Sequence, residues 1–180
     1  GEYPMHAYFE QRNYRFEALL APHLTYPLHL HTQLELFLVR AGKIAVTAHG
    51  QESILTPGSL AILFPNRIHS YTTLTQDSLA ALVMCDLSYT GSFADTLLAW
   101  HPDNPFLMAE QVHPNIPMAI SELLLEQSQQ APSPVWSPFT QLILARAMPC
   151  LTLRRNQSSD SRELTYQIVR YVSEHFRDPL

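Results

Sequence analysis

The chain has 180 residues, of which 46% are apolar, a composition normal for one domain that buries a core. Eleven basic residues and sixteen acidic residues give a formal net charge of −5. A domain whose whole surface binds nucleic-acid phosphates would carry a positive net charge. The longest apolar runs are far below the roughly 20 residues of a membrane helix, and the first residues lack the pattern of a signal peptide. We therefore expect no membrane association and a cytoplasmic location.

The two cysteines, Cys85 and Cys150, lie far apart in the sequence, each inside an apolar stretch. This usage is typical of buried thiols and not of a disulfide framework or a zinc cluster. We expect both thiols to be buried and the compartment to be reducing.

The region from residue 15 to about residue 85 consists of short apolar or alternating runs separated by Pro, Gly and polar breaks. Turn signals about 8 to 12 residues apart predict a small all-β barrel or sandwich. Alternation across residues 43–48 predicts a half-buried strand, and the dipeptide His49-Gly50 suits a hairpin turn after it.

The pattern of short apolar runs ends after Gly91, and residues 100–117 form a connector with four prolines. A first helix is predicted after it, because Ile116, Ile120 and Leu123 share one helical face, together with Ala119 and Leu124.

A second helix is predicted with Ser137 at its N-cap and Pro138 at its first position, and Pro149 should kink or shorten it. The polar stretch RRNQSSDS predicts a hinge, and a third amphipathic helix should run from near Leu164 to Phe176.

Four residues carry the chemistry of a candidate site. His29 and His31 are two positions apart and Glu35 follows four positions later, so on strands the three side chains share one face. His69 follows thirty-four residues after Glu35 and just after the turn signal Pro65-Asn66. Three imidazoles and one carboxylate suit a divalent ion. The same groups could instead hydrogen-bond one another and a polar ligand without any metal.

This spacing resembles the two motifs of the cupin superfamily: H-x-H, E after three more residues, G after six, then P-G and P-x-x-x-H. The resemblance implies a mainly β cupin barrel, a double-stranded β-helix similar to a jelly roll, which the two predicted helices would follow. It also implies that His29, His31, Glu35 and His69 face the barrel interior, where metal-binding cupins hold Zn, Ni, Mn or Fe.

The flanking stretches resemble the N-terminal half of an AraC-type transcription regulator. TYPLHLHTQLELFLVRAG is similar to the start of that family's barrel, NPFLMAEQVHPNIPMAISELLLE to its connector and first helix, and ELTYQIVRYVSEHFRDPL to the opening helix of its DNA-binding half. The resemblance implies a cupin effector domain with an N-terminal arm over residues 1–90, a connector and dimerisation helices over 91–155, and a hinge with the first helix of a truncated helix-turn-helix domain over 156–180.

The same resemblance implies three partners: a small-molecule effector in the barrel, a second copy of the chain, and DNA, contacted through a C-terminal domain absent from this chain. Besides the four motif residues, strand parity favours Phe37, Tyr71 and Thr73 as walls of the effector site, although both aromatic residues could simply fill the barrel. Dimer contacts are expected at the second-helix positions Leu142, Ile143 and Arg146.

Other polar and aromatic residues have weaker claims to a role. Arg15 and Arg40 could neutralise an anionic effector, but the parity of Arg40 turns it away from Glu35. Trp100 and Trp136 are interpreted as packing residues.

Two functions compete. The regulator accounts for the hinge and the final helix and makes the chain a sensor with no catalytic residue. A free-standing metal-dependent cupin enzyme, a dioxygenase or an isomerase of a small polar substrate, accounts for the full ligand set but leaves those segments without purpose. The sequence specifies neither the effector, nor the target DNA, nor whether the regulator activates or represses.

Overall fold

The computed structural model describes residues 8–48, 50–127 and 132–157. Its strands are β1 (Tyr8–Phe9), β2 (Phe16–Pro22), β3 (Tyr26–Leu30), β4 (Leu34–Ala41), β5 (Ile44–Ala48), β6 (Gln51–Leu55), β7 (Leu60–Leu63), β8 (His69–Thr73), β9 (Leu79–Cys85), β10 (Trp100–Pro102), β11 (Phe106–Leu107) and β12 (Leu153–Arg155). Its helices are α1 (Ala94–Ala99), α2 (Asn115–Gln127) and α3 (Trp136–Ala147).

Two five-stranded sheets form the barrel. The first has the order β1-β3-β8-β5-β6 and the second the order β11-β7-β4-β9-β2. Buried side chains of both sheets, such as Val46 from the first and Phe37 from the second, meet in one core cluster between them. The predicted mainly β barrel followed by helices is confirmed.

The second sheet is buried on both faces, which explains its continuous apolar strands. In β4, Phe37 and Val39 point into the barrel, whereas Leu36 and Leu38 join the core beneath the helices. Strand β5 alternates as predicted, because Ile44, Val46 and Ala48 are buried and the residues between them are not. An antiparallel strand covered on both faces loses the alternation that covering one face produces.

Helices α2 and α3 pack against each other and on the outer face of the second sheet. The apolar face of α2 buries Ile116, Ala119, Ile120 and Leu123 there, so this chain's own barrel and α3 cover it. None of the helices in the described residues has the length and apolar character to cross a membrane.

The predicted start of α3 is wrong by two positions. The helix begins at Trp136 with Val135 at the N-cap, so Ser137 and Pro138 lie within its first turn, where the proline still costs no helical hydrogen bond. The helix ends at Ala147 and a 3-10 turn follows around Pro149, as that proline predicts.

The connector is more ordered than its proline content indicates. It contains strand β10 paired with β12 and strand β11 paired with β7, and the short helix α1 ends just before it. Elements of two to six residues are too short for a periodic pattern to reveal. The predicted turn residue His49 and the predicted third helix from Leu164 to Phe176 lie outside the described residues.

The two cysteines differ, contrary to expectation. Cys85 is buried and Cys150 is exposed in the turn after α3. Burial, with a smaller contribution from Asp86, raises the pKa of the Cys85 thiol to about 12.

The motif glycine at position 42 is required sterically. Its φ is +69°, and a Cβ there would lie 2.7 Å from the Cα of Ser78 and closer still to the hydroxyl of Thr75. Only glycine fits this turn without displacing the backbone of the neighbouring loop.

Candidate functional site

The four predicted motif residues converge inside the barrel. His29 lies on β3 and His31 just after it, Glu35 lies on β4 and His69 begins β8. All four are buried, and one ligand atom from each lies within 4.8 Å of the others. The three histidines come from the first sheet or its edge and the carboxylate from the second, so the cluster spans the two sheets.

Glu35 is the centre of the hydrogen bonding. Its Oε2 lies 2.9 Å from His31 Nε2 and 3.1 Å from His69 Nε2, and its Oε1 accepts from the Tyr71 hydroxyl. Burial alone would raise the pKa of Glu35, but the hydrogen bonds from His31 and His69 outweigh it and hold that pKa well below its ordinary value. Glu35 is therefore a carboxylate at neutral pH.

Backbone carbonyls set the orientation of all three imidazoles. The Nδ1 atoms of His29, His31 and His69 face the carbonyl oxygens of Pro27, Gln33 and Arg67 at 2.8, 3.0 and 2.8 Å. A carbonyl oxygen can only accept a hydrogen bond, so each Nδ1 carries the ring hydrogen. In the neutral ring each Nε2 then has a lone pair and no hydrogen. For His31 and His69, a second proton or a cation must then stand between Nε2 and the carboxylate.

The donor set fits a divalent metal ion. Three imidazole nitrogens and one carboxylate suit Zn, Ni, Mn or Fe, and Nδ1–H donation to a backbone carbonyl is the usual arrangement behind a metal-bound histidine. Burial and the neighbouring His69 lower the pKa of His29 to about 3, which keeps that imidazole neutral, the form that binds metals. An ion would thus be held by His29, His31, Glu35 and His69. It would supply a Lewis acid inside the barrel.

Tyr71 and Phe37 have different positions relative to the site. Tyr71 lines the cavity, and burial together with Glu35 raises its pKa well above the ordinary value, so its hydroxyl stays a donor. Phe37 does not line the cavity but stacks beneath Tyr71 with ring centroids 4.8 Å apart. Phe37 is barrel packing that positions Tyr71. Thr73 does not line the cavity either. Its hydroxyl donates to the backbone carbonyl of Leu24 at 2.8 Å.

A cavity of about 170 Å³ adjoins the polar cluster. Only His29 and Glu35 of the four motif residues line it, whereas His31 lines a smaller space of about 90 Å³ beside it. The full lining comprises Glu10, Arg12, Glu17, Leu19, Ala21, Leu24, Tyr26, His29, Glu35, Tyr71, Leu82 and Met84.

Motif spacing and strand parity predicted few of these lining residues. In β2, the alternation of Glu17, Leu19 and Ala21 would have revealed one wall, since these residues share a parity. Leu82 and Met84 lie in a uniformly apolar strand, where parity cannot be read from residue type. No sequence pattern placed Glu10 and Arg12 there.

A half-buried charge group lies at one side of the cavity. Arg12 Nη1 donates to Glu10 at 3.2 Å and Arg12 Nη2 to Glu17 at 2.8 Å. The Nε of Arg12 is buried and makes no hydrogen bond within the described part of the chain. Two carboxylates and one guanidinium leave this group with one net negative charge.

The two arginines considered from the sequence lie elsewhere. Arg15 is exposed and pairs with Asp86 at 3.1 Å. Arg40 lies on the face of β4 opposite to Glu35, as its parity predicts, and donates to Ser121 of α2 at 2.7 Å. Neither residue lines the described cavity.

Both tryptophans are in packing positions. Trp136 is buried and stacks on Phe16 with ring centroids 4.6 Å apart. Trp100 is half-buried, and the guanidinium of Arg155 lies 5.9 Å from its ring centroid.

The three residues expected at a dimer contact differ in accessibility. Ile143 is fully buried in this chain's own core, so it faces inward. Leu142 is half-buried, and Arg146 is exposed and donates to Asn115 at 3.0 Å.

Comparison with known protein families gives a match to the cupin domain. The family model of the cupin domain matches residues 16–85, which are the strands β2 to β9 that build the barrel. A search of curated proteins gives no match.

Solved structures are similar to this chain at low identity. ToxT from Vibrio cholerae O395 is 14% identical with a TM-score of 0.51, and the match covers 77% of this chain and 56% of that one. The cupin domain of Cnp3 from Schizosaccharomyces pombe is 13% identical with a TM-score of 0.37, covering 43% and 60%. A predicted oxalate decarboxylase from Thermotoga maritima is 16% identical with a TM-score of 0.35, covering 39% and 64%. This chain thus spans less than two thirds of each of these three structures.

Proposed function

We propose that this chain is the effector-sensing and dimerisation part of an AraC-type transcription regulator of the cytoplasm. A small molecule binds in the barrel cavity, and DNA is contacted through a C-terminal domain absent from this chain. The proposal is supported by the resemblance of the stretches around the cupin motifs to AraC-type regulators. The structural similarity to ToxT covers 77% of the chain and so extends beyond the barrel.

One observation carries the proposal. The sheet that contains β2, β4 and β9 has the cavity on one face and helices α2 and α3 on the other. In β9, Leu82 and Met84 line the cavity, whereas Ala81 and Val83 pack under the helices. A ligand therefore touches the same strands that support the helices. It can shift their packing if it binds two arrangements with different affinity.

Dimerisation is proposed through the exposed side of α3. Leu142 and Arg146 are accessible there, whereas Ile143 is not. Leu142→Glu combined with Arg146→Glu should convert a dimer into a monomer in light scattering coupled to gel filtration. Leu98→Glu on α1, where the side chain is 53% exposed, is the matched control and should stay dimeric.

A metal-dependent cupin enzyme is the second candidate, favoured by the complete donor set of His29, His31, Glu35 and His69 beside a cavity. The deciding experiment uses the entire protein encoded by the gene. We expect selective binding to DNA fragments from its own genome in a mobility-shift assay, altered by small molecules that bind the barrel. Metal-dependent turnover of a small substrate together with no DNA binding would overturn the regulator.

A further inference from the structure

We infer that Glu10 is a further ligand of the divalent ion for which His29, His31, Glu35 and His69 form the donor set. The inference goes beyond the proposed function, since it holds for a regulator and for an enzyme alike. It assigns a role to a residue outside the cupin motifs, in the segment between β1 and β2.

The backbone holds Glu10 beside the cluster. Strand β1 runs parallel to β3 and pairs Phe9 with Leu30. The amide of Glu10 then donates to the carbonyl of Leu30 at 2.8 Å, and Leu30 is the residue between His29 and His31. Glu10 lines the larger cavity together with His29 and the smaller space together with His31. Its side chain therefore reaches the cluster from the edge strand of the first sheet.

Glu10 meets the cluster at His29. Its Oε2 lies 3.9 Å from His29 Nε2. Because His29 Nδ1 donates to the carbonyl of Pro27, Nε2 of the neutral ring carries a lone pair. Two electron-pair donors thus lie 3.9 Å apart with no hydrogen to share. With metal–ligand bonds of about 2.1 Å, two atoms bound to one ion lie about 3 to 4 Å apart, so this separation suits a shared cation.

Arg12 holds Glu10 by its other oxygen. Arg12 Nη1 donates to Glu10 Oε1 at 3.2 Å, and Arg12 Nη2 donates to Glu17 at 2.8 Å. Carboxylates that bind metal ions are themselves commonly oriented by hydrogen bonds from outside the coordination sphere. Arg12 is therefore the positioning residue for Glu10, and it leaves Oε2 to the cluster.

The charges balance when a divalent ion is present. Glu35 contributes one negative charge, and the group of Glu10, Arg12 and Glu17 contributes one net negative charge. Together they compensate two positive charges in a largely buried site, where an uncompensated charge is costly. The four cluster residues also leave positions open on an ion such as Mn²⁺, which takes up to six ligands and suits carboxylates.

Calorimetric titration of the 180-residue chain with Mn²⁺ and with Zn²⁺ tests the inference. Glu10→Gln keeps the shape of a side chain that is 22% exposed, and it should weaken Mn²⁺ binding at least about tenfold. Four ligands satisfy Zn²⁺, so its binding should fall less, although it carries the same charge. Glu17→Gln is the matched control. It removes a carboxylate from the same Arg12 group and should change the Mn²⁺ affinity less than about threefold.

Three results would overturn the inference. The first is an equal loss of Mn²⁺ affinity in Glu10→Gln and Glu17→Gln, or an equal loss for Mn²⁺ and Zn²⁺ in Glu10→Gln, because either would be a general effect of charge. The second is an unchanged Mn²⁺ affinity in Glu10→Gln. The third is a wild-type chain that binds no Mn²⁺.

A crystal structure of the wild-type chain with Mn²⁺ gives a test that does not depend on the folding of a variant. A Glu10 oxygen bound to the ion supports the inference. An ion held by His29, His31, Glu35 and His69 without Glu10 overturns it.

Discussion

The Tyr71 hydroxyl donates to the Glu35 carboxylate across the barrel, from β8 of the first sheet to β4 of the second. The Nε2 atoms of His31 and His69 lie 2.9 and 3.1 Å from the other oxygen of the same carboxylate. One buried anion therefore joins the two sheets at the edge of the cavity, so the site and the stability of the barrel depend on the same side chain.

Glu35→Gln should destabilise the metal-free protein by about 3 kcal/mol. The neutral amide lacks the negative charge that pairs with His31 and His69 in this buried site. Urea unfolding monitored by circular dichroism measures the change. Glu52→Gln is the control at an exposed carboxylate and should change the stability by less than about 0.5 kcal/mol. Equal losses in the two variants would contradict the central role of Glu35.

Stability of the metal-free protein should fall as the pH is lowered below about 6.5. The pKa of His29 is about 3 in the folded chain against an ordinary 6.5, so between these values the unfolded chain binds more protons and acid favours it. The pKa of Glu35 is also lowered, and the stability it contributes above its ordinary 4.5 is lost as the pH falls further.

Urea unfolding from pH 7.5 to pH 4.5 measures this slope. His29→Asn should flatten it, because that side chain does not titrate, and His23→Asn at an exposed histidine should leave it unchanged. An unaltered slope in His29→Asn would show that another group causes the acid sensitivity.

Protein purified without a metal-affinity step should retain about one divalent ion per chain, since three oriented imidazoles and a carboxylate form a complete donor set. Elemental analysis checks this. The double variant His31→Ala and His69→Ala should lose the ion, and His23→Asn should keep it. A metal-free wild-type chain with a normal ligand response would reduce the cluster to a polar wall of the cavity.

The two thiols should differ in reactivity with a disulfide reagent at pH 8. Cys150 is exposed and should react at once, whereas Cys85 is buried with its pKa raised to about 12 and should react only after unfolding. Absorbance of the released thiolate counts the two phases. Cys150→Ser should remove the fast phase, and a fast phase that remains would place Cys85 at the surface.

Much of the cluster could be predicted from sequence because its members obey strand parity and stand beside turn residues. His29, His31 and Glu35 share a face by their spacing alone, and the resemblance to the second cupin motif implies that His69 joins them. Parity could not separate a cavity wall from packing, and so Phe37 was expected at the ligand but lies beneath Tyr71.

The sequence by itself determined the β region, the shared face of His29, His31 and Glu35, and the apolar face of α2, because each rests on a local repeat of two or 3.6 residues. The cupin barrel and the place of His69 in the cluster were implied by the resemblance of the motifs. Only the tertiary structure decided that one sheet is covered on both faces and that Glu10, Arg12 and Glu17 meet beside the cavity. Those contacts join segments whose separation along the chain carries no pattern. They form because folding brings the residues just before β2, β2 itself and β9 against the same space, where partial burial favours pairing of the charges.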